Sequence, residues 1–267
     1  MVKSRPIVRY HGGKWMIAPW IIENLPSHRV YVEPFGGGGS VLLRKPRSYA
    51  EVYNDLDGEM VNLFRVARDH GEALKEKLCL TPFSRDEFEI SYIGSECAIE
   101  QARRTVVRCF MGFGSAAASG RATGFRNNSN RSGTTPAHDW ANYPKALEQT
   151  IQRLQGVVIE NKDALALIQQ TDSEDTLFYC DPPYPKGTRS DGGDDYKFEM
   201  TDSDHIEFLD LVKSLRGMVV ISGYACSLYD DALAGWETVD KDTLSDGAGK
   251  RVERLWISPK SSKGRLF

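Results

Sequence analysis

The tetrapeptide Asp181-Pro182-Pro183-Tyr184 carries the most specific chemistry in this sequence. A proline has no backbone N–H and fixes its φ angle at about −65°, so the segment offers acceptors only, namely the Asp181 carboxylate and the Pro182 carbonyl. An amino group on a flat ring has two hydrogens for such acceptors, and Tyr184 offers an aromatic surface to the ring. The alternative is a proline-rich exit turn in which Tyr184 packs into the core.

A glycine-rich turn lies earlier in the chain, where Gly36 to Gly39 follow Phe35 and precede Ser40. Glycine permits a tight turn and lets a ligand approach the backbone closely. The dinucleotide fingerprint G-x-G-x-x-G is incomplete because Val41 occupies the place of its third glycine, which disfavours a nicotinamide oxidoreductase. A flexible turn capped by Ser40 is the alternative to a ligand site.

Acidic side chains follow two further strands at the same expected sheet edge. Asp55 comes about 20 residues after the glycines, a spacing at which a carboxylate can accept hydrogen bonds from a ribose diol. Asp163 can accept from an adenine amino group or cap the helix that follows it. Asp57 is better suited to cap the helix that begins beside it.

The elements that must position these residues alternate between strands and helices, which predicts a mostly parallel sheet with covered faces. The expected strands are Val30–Glu33, Tyr49–Tyr53, Val157–Glu160, Thr176–Cys180, Met218–Ser222, Glu237–Val239 and Val252–Ser258. The last two are expected to pair antiparallel at one edge of the sheet. The expected helices between the strands are Trp15–Asn24, Asp57–Arg68, Tyr143–Leu154, Asp163–Gln169 and Asp204–Leu215.

The last of these helices has an apolar pattern at a spacing of three residues. Its predicted buried face consists of Ile206, Leu209, Val212 and Leu215. His205 at the start of this helix, and His70 near the end of an earlier one, are expected at the surface.

The alternation breaks between residues 71 and 142, which predicts an inserted subdomain. Helical patterns at Asp86–Tyr92 and Glu96–Phe110 precede a stretch rich in glycine, serine, asparagine and arginine. No acidic residue lies between Glu100 and Asp139, where the arginines are Arg103, Arg104, Arg108, Arg121, Arg126 and Arg131. Arginine can contact phosphate or guanine, and asparagine can pair with adenine.

We therefore predict a nucleic-acid contact through the polar part of this segment, at Arg121, Arg126, Asn128 and Arg131. Phe110, Phe113 and Phe125 are interleaved with these polar residues. The alternative for Arg103, Arg104 and Arg108 is one solvated helix face.

Composition narrows the class of protein. The chain has 267 residues, 40% of them hydrophobic, and a net charge of −3, which excludes a globally polycationic coat protein. No apolar run approaches the roughly 20 residues that span a bilayer. The five cysteines are scattered and odd in number, so we expect reduced thiols in a cytoplasmic protein, with no disulfide framework and no metal site.

Together these motifs resemble the Dam-like family (D12 class, α-group) of DNA adenine-N6 methyltransferases. Tyr10-His11-Gly12-Gly13-Lys14 resembles the N-terminal cofactor motif of that family, and Val32 to Ser40 is similar to its E-P-F-x-G-x-G-S turn. Asn54-Asp55 matches its acidic ribose motif, Asp181-Pro182-Pro183-Tyr184 its catalytic signature, and Lys250 to Ile257 its final strand. Many relatives have Trp-Ala where this chain has Tyr10-His11, which leaves the role of His11 open.

The resemblance implies methyl transfer from S-adenosylmethionine to the N6 amino group of an adenine flipped out of double-stranded DNA. The catalytic residues would be Asp181, Pro182, Pro183 and Tyr184. The cofactor-binding residues would be Tyr10, Lys14, Glu33, Pro34, Phe35, Gly36, Gly38, Ser40, Asp55, Asp163 and Asp181. No metal ion is implied.

The implied fold is α/β, a class I methyltransferase fold with a mostly parallel seven-stranded sheet, an antiparallel edge strand and a mainly helical insert. Residues 1–70 and 143–267 would form the catalytic core, and residues 71–142 the target-recognition subdomain. Family analogy further suggests a solitary or phage-borne modification enzyme, for which we expect a monomer, although the sequence leaves the oligomeric state and the recognition sequence open.

Two rival functions remain. One keeps the chemistry but moves it to RNA or to cytosine N4. Many cytosine-N4 enzymes, however, place the catalytic motif before the cofactor turn and carry Ser-Pro-Pro in place of Asp181-Pro182-Pro183. The other is a catalytically silent DNA-binding module on the same scaffold, which is disfavoured because the cofactor and catalytic motifs are both intact.

Overall fold

The computed structural model describes residues 5–114, 122–127, 134–189, 196–244 and 250–260. Their strands are β1 (Val30–Glu33), β2 (Ala50–Asn54), β3 (Val157–Glu160), β4 (Thr176–Cys180), β5 (Met218–Tyr224), β6 (Glu237–Leu244) and β7 (Lys250–Ile257). Their α-helices are α1 (Ala18–Glu23), α2 (Ser40–Arg44), α3 (Gly58–Asp69), α4 (Gly71–Leu80), α5 (Arg85–Ile90), α6 (Ala98–Met111), α7 (Pro136–Leu154), α8 (Ala164–Thr171), α9 (Asp202–Ser214) and α10 (Ser227–Ala232).

The strands form one seven-stranded sheet in the order β3-β2-β1-β4-β5-β7-β6. Strand β1 pairs parallel with β2 and β4, and β4 pairs parallel with β5. Strand β7 runs antiparallel to both of its neighbours, β5 and β6. The predicted α/β fold with a mostly parallel sheet is therefore confirmed, and its antiparallel strand lies next to the edge strand β6.

The sequence patterns gave β1, β3 and β4 their observed bounds, whereas β5 and β6 extend further than predicted. Helices α4 and α10 were not predicted. Helix α7 begins at Pro136, well before the predicted start at Tyr143, because Thr135 caps it and Pro136 occupies its first turn. Pro144 lies inside this helix.

The buried face of α9 differs from the prediction. His205, Phe208, Leu209 and Val212 are buried, whereas Ile206 is 49% exposed. The predictions for Ile206 and for a surface His205 were thus wrong, because a spacing of three residues drifts around a helix that has about 3.6 residues per turn. His70 is exposed, as predicted.

The chain divides into two compact units. The first contains the described residues of Met1–Met16, Gly37–Arg44 and Asp57–Ile159. Helices α3, α4, α6 and α7 pack in it, and the Tyr143 hydroxyl donates to the Ile7 carbonyl at 2.6 Å. This unit is larger than the predicted insert, because α3 and most of α7 pack with it, and target recognition by residues 71–142 stays a prediction.

The second unit contains the described residues of Ile17–Gly36, Lys45–Leu56 and Glu160–Phe267. Its core lies on one face of the sheet, where Val32, Phe178 and Trp256 pack against Phe208 and Leu209 of α9. Within the described part of the chain, no helix combines the length and apolar character that crossing a membrane would need.

Candidate active site

Asp181 directly follows β4, and the pleat of that strand decides where its side chain lies. Phe178 and Cys180 belong to the buried core. Since successive side chains of a strand alternate between faces, Tyr179 and Asp181 lie on the opposite face. There the Oδ1 atom of Asp181 accepts from the Ser222 Oγ at 2.9 Å and lies 3.2 Å from the Tyr184 hydroxyl oxygen. The Ser222 hydrogen bond and the neighbouring Tyr184 hydroxyl together restrain this carboxylate.

Tyr184 is held inside the protein. It is 5% exposed, and its hydroxyl donates to the Glu253 Oε1. Its ring packs edge-on against the ring of Tyr224, with the two centroids 4.8 Å apart. Burial raises the pKa of Tyr184 well above its ordinary value, and the carboxylates of Asp181 and Glu253 raise it further. The alternative of a core-packed phenol thus describes Tyr184 in this structure, and stacking on a substrate base stays a prediction.

Arg189 binds the backbone at the end of the Asp181-Pro182-Pro183-Tyr184 segment. Its guanidinium donates to the Tyr184 carbonyl through Nε at 2.9 Å and through Nη2. It also forms a bidentate ion pair with Glu199 at 2.8 and 2.7 Å. Sequence analysis missed Arg189, because nothing in the pattern distinguishes it from the other arginines.

The turn after β1 is packed too closely at Gly36 for any side chain. A Cβ there would lie 2.6 Å from Cδ2 of Tyr53 and 2.8 Å from the Asn54 carbonyl oxygen. The Gly36 N–H donates to that same oxygen at 2.8 Å. This glycine therefore allows β1 and β2 to end in contact with each other.

Other predicted residues of the same turn are also packed within the second unit. Glu33 is buried and accepts from the Tyr31 hydroxyl at 3.0 Å. Phe35 meets Phe208 edge-on at 5.6 Å. The Pro34 carbonyl accepts a hydrogen bond from a side chain of β2, Asn54.

Asn54, which the sequence analysis names only as part of the predicted ribose motif, joins two segments of the second unit. Its buried amide donates to the carbonyls of Pro34 and Lys162 at 2.9 and 3.1 Å and accepts from the Lys162 N–H at 2.9 Å. It thereby ties together the segments that follow β1 and β3. The motif did not predict these hydrogen bonds, because their partners are distant in sequence.

The two predicted cofactor carboxylates differ in their local roles. Asp55 is half-buried, and its carbonyl accepts from the Asn161 amide at 2.8 Å. Asp163 is exposed and caps α8 by accepting from the Ala166 N–H at 2.9 Å. Asp57 caps α3, as predicted. Ligand contacts of Asp55 and Asp163 stay predictions.

In the first unit, the ring of Tyr10 packs against the glycine turn. Gly37 adopts a left-handed φ of 47°, and a Cβ on it would lie 2.7 Å from Cε1 of Tyr10. A Cβ on Gly38 would lie 3.1 Å from the Tyr10 Cβ. The buried Lys14 donates from Nζ to the Gly12 carbonyl at 2.7 Å, and buried Ser40 begins α2.

The arginines of α6 are structural. Arg103 binds Glu100 and Glu87, and Arg108 binds Glu59 at 2.5 Å. Both are buried, so a solvated helix face describes neither of them. These acidic partners are half-buried and lie outside the basic segment, so they could not be read from its sequence.

Of the predicted DNA contacts, Arg121, Asn128 and Arg131 lie outside the described residues. Arg126 is 9% exposed, and its backbone N–H donates to the Met111 carbonyl at 2.8 Å. Phe110 is buried and Phe113 is 67% exposed. The ring centroids of Phe125 and Phe83 lie 5.2 Å apart.

Among the residues that the structure covers, no group of three or more His, Cys, Asp or Glu side chains is arranged to hold a metal ion.

Three curated proteins are similar to parts of this chain. They are the type II methyltransferase M.MjaIII of Methanocaldococcus jannaschii (31% identical over 33% of this chain and 32% of its own length), the type II methyltransferase M1.LlaDCHI of Lactococcus lactis subsp. cremoris (33% over 29% and 27%), and the DNA adenine methylase of Serratia marcescens (31% over 26% and 25%). The chain matches about a third or less of the length of each. A solved structure, that of precorrin 8W decarboxylase from Methanobacterium thermoautotrophicum, aligns with 91% of this chain and 89% of its own at 10% identity and a TM-score of 0.37.

The family-level match extends much further along the chain. The family described as D12 class N6 adenine-specific DNA methyltransferase matches residues 10–244. The seven-stranded, mostly parallel sheet is consistent with the class I methyltransferase fold. Because the match covers most of the sequence, this chain belongs to the D12 class of N6 adenine-specific DNA methyltransferases.

Proposed function

We propose that this protein transfers a methyl group from S-adenosylmethionine to the N6 amino group of an adenine that is flipped out of double-stranded DNA. The observation that carries the proposal is the position of the Asp181 carboxylate, which Ser222 and Tyr184 orient. The two residues that follow it, Pro182 and Pro183, have no backbone N–H to donate. Family membership supports the same reaction.

Asp181 and the Pro182 carbonyl, at the end of β4, suit a weakly nucleophilic amine. The N6 lone pair of adenine is delocalised into the ring, so hydrogen bonds from the amine to Asp181 and to the Pro182 carbonyl would favour a localised lone pair. Fixed acceptors need no reorganisation during the reaction, and orientation supplies much of the acceleration. Flipping the base out of the duplex would cost a few kcal/mol.

The acidic and basic side chains fit S-adenosylmethionine by their chemistry. Asp55 and Asp163 offer carboxylate oxygens, which suit ribose hydroxyls and an adenine amino group. The Lys14 ammonium and the Tyr10 ring would hold the methionine end, and the glycine turn would leave backbone accessible to the ligand. When bound, the cofactor supplies an electrophilic methyl group.

The test is methylation of DNA by the wild-type protein and by Asp181→Ala. We expect incorporation of labelled methyl groups into adenine-containing duplexes, mapped to N6. Asp181→Ala should lose at least about 100-fold in turnover, because a preorganised polar group is removed. Binding of S-adenosylmethionine, measured by calorimetry, should partly survive in this variant.

Asp210→Asn is the matched control, since Asp210 lies on α9 and pairs with Lys213 at the surface. Full turnover in Asp181→Ala would contradict the proposed role. Parallel assays with RNA and with duplexes carrying cytosine as the acceptor test the rival substrates. DNA binding without methylation of any substrate would support the silent binding module instead.

A further inference from the structure

A hydrogen-bonded series of hydroxyl and carboxyl groups includes Asp181 on its face of the sheet. The Tyr179 hydroxyl lies 2.8 Å from the Ser222 Oγ, which lies 2.9 Å from the Asp181 Oδ1. On the other side of Asp181, the Tyr184 hydroxyl lies 3.2 Å from the same Oδ1 and contacts the Glu253 Oε1. Three strands supply this series: β4 provides Tyr179, β5 provides Ser222 and β7 provides Glu253.

The pairing of the strands brings these groups onto one face. Cys180 is paired with Ile221, so Asp181 and Ser222, one residue further along each strand, are neighbours. Tyr224, two residues after Ser222, is paired with Glu253 on β7. Because side chains alternate along a strand, Ser222, Tyr224 and Glu253 all lie on the face that carries Asp181.

Burial makes these contacts consequential. Ser222 is 1% exposed and Glu253 is 4% exposed, so water does not readily replace a partner that either one loses. A buried polar group that loses its hydrogen bond is penalised more than an exposed one. The positions of these groups are therefore coupled to one another.

Each hydroxyl group has a single hydrogen, and this determines which group donates and which accepts in each of these hydrogen bonds. Ser222 has one hydroxyl hydrogen, which it donates to Asp181, so it accepts from Tyr179. Tyr184 also has a single hydrogen, and it faces two carboxyl groups. Because that hydrogen cannot be donated fully to both carboxyl groups, the contact with Glu253 decides how strongly the Tyr184 hydroxyl binds Asp181, and losing Glu253 would rearrange the hydrogen bonds at Oδ1.

We infer that Ser222 and Glu253 are positioning residues for methyl transfer, Ser222 acting on Asp181 directly and Glu253 acting through Tyr184. The inference rests on the proposed function. Neither residue needs to touch the adenine or the cofactor, because both act on the hydrogen bonds of the Asp181 Oδ1 and thereby on the orientation of the carboxylate.

The experiment measures kcat, the KM for a duplex, the Kd for S-adenosylmethionine and the melting temperature in variants of the full chain. Ser222→Ala and Glu253→Ala should each lower kcat by about 10- to 100-fold, the loss expected when a reacting group is misoriented. The Kd for the cofactor and the KM should change by less than about threefold. Glu253→Gln should restore most of the activity, because an amide oxygen can also accept from Tyr184.

Ser258→Ala is the matched control. Ser258 is likewise a buried serine, but its Oγ accepts from the Val219 N–H at 3.0 Å instead of binding Asp181. Its kcat should equal that of the wild type. A double-mutant cycle tests the route through Tyr184: in a Tyr184→Phe background, Glu253→Ala should change kcat by less than about twofold, since coupled residues are not additive.

Two results would overturn the inference while leaving the proposed function intact. One is an undiminished kcat in folded Ser222→Ala and Glu253→Ala. The other is an effect of Glu253→Ala that is equally large with and without the Tyr184 hydroxyl. A wild-type protein that methylates no nucleic acid would instead overturn the proposed function, and this inference with it.

Discussion

A methyl group on residue 36 would collide with Tyr53 and with the backbone of Asn54. The neighbour on one side is a carbonyl oxygen that already accepts the Gly36 N–H, so it cannot move away without losing that bond. The shape of the turn is thus fixed by the absence of a single carbon atom.

Gly36→Ala should therefore destabilise the protein by about 1–3 kcal/mol, as overpacking of a close contact does. We also expect it to weaken cofactor binding, because the strand ends would separate. Urea unfolding and calorimetry measure the two effects. Gly94→Ala serves as the control, since a Cβ at Gly94 would have no atom within 4 Å; equal stability of the two variants would contradict the packing argument.

Candidate site residues could be named from the sequence where their chemistry is unusual. Asp181 and the glycine turn were identified because paired prolines and consecutive glycines are rare and each has a direct backbone consequence. The contacts of Asn54, Ser222 and Glu253 were not predicted, because their partners are far away in sequence. An asparagine or serine at a strand end has no pattern that reveals those partners.

At the level of elements, α6 is held in its unit by ion pairs. Glu100 binds Arg103 through both of its oxygens, at 2.7 and 3.0 Å, and also accepts from Arg104. The Arg103 hydrogen bonds are the main reason that the pKa of Glu100 is lowered from 4.5 to about 2. A carboxyl group with a lowered pKa stabilises the folded state above its unfolded pKa and loses that contribution as the pH falls.

Glu100→Gln should accordingly lower the melting temperature at pH 7, and the difference from the wild type should shrink between about pH 4.5 and pH 2. Thermal unfolding followed by circular dichroism across this range measures it. Glu174→Gln controls for the loss of one carboxylate at an exposed position. A constant difference between Glu100→Gln and the wild type at every pH would show that the ion pairs with Arg103 and Arg104 are not responsible.

Elements were predicted well where the apolar pattern was continuous. Strands β1, β3 and β4 are short buried runs, and their bounds follow from the sequence. Helix α4 was missed because its buried residues are only Gly71, Leu74 and Leu78, and no side chain caps its start. The register of β7 against β5, which places Glu253 near Tyr184, depends on pairing between distant segments and is invisible in a local pattern.

On the scale of the whole molecule, charge is unevenly distributed. The net charge is −3, yet no acidic residue lies between Glu100 and Asp139. Of the six arginines there, Arg103, Arg104 and Arg108 form ion pairs within the protein. The remaining positive charge that could meet a phosphate is therefore smaller than the sequence count.

Replacing Arg121 and Arg131 with alanine should reduce the slope of log K for DNA against log salt by about two, since each phosphate contact contributes about 0.9. Fluorescence anisotropy over a salt series measures this slope. Arg126→Ala is the informative comparison, because Arg126 is largely buried in this structure. An unchanged slope in the double variant would exclude these arginines from the DNA contact.

Strand β7 comes late in the sequence, yet it lies between β5 and β6, which are made before it. During synthesis on the ribosome, β6 has no partner in the sheet until β7 arrives, and one edge of β5 stays uncovered. A nascent chain that ends after β6 already contains the glycine turn and the proline tetrapeptide. It still lacks Glu253, so the hydrogen-bond network around Asp181 cannot be completed until β7 has left the exit tunnel.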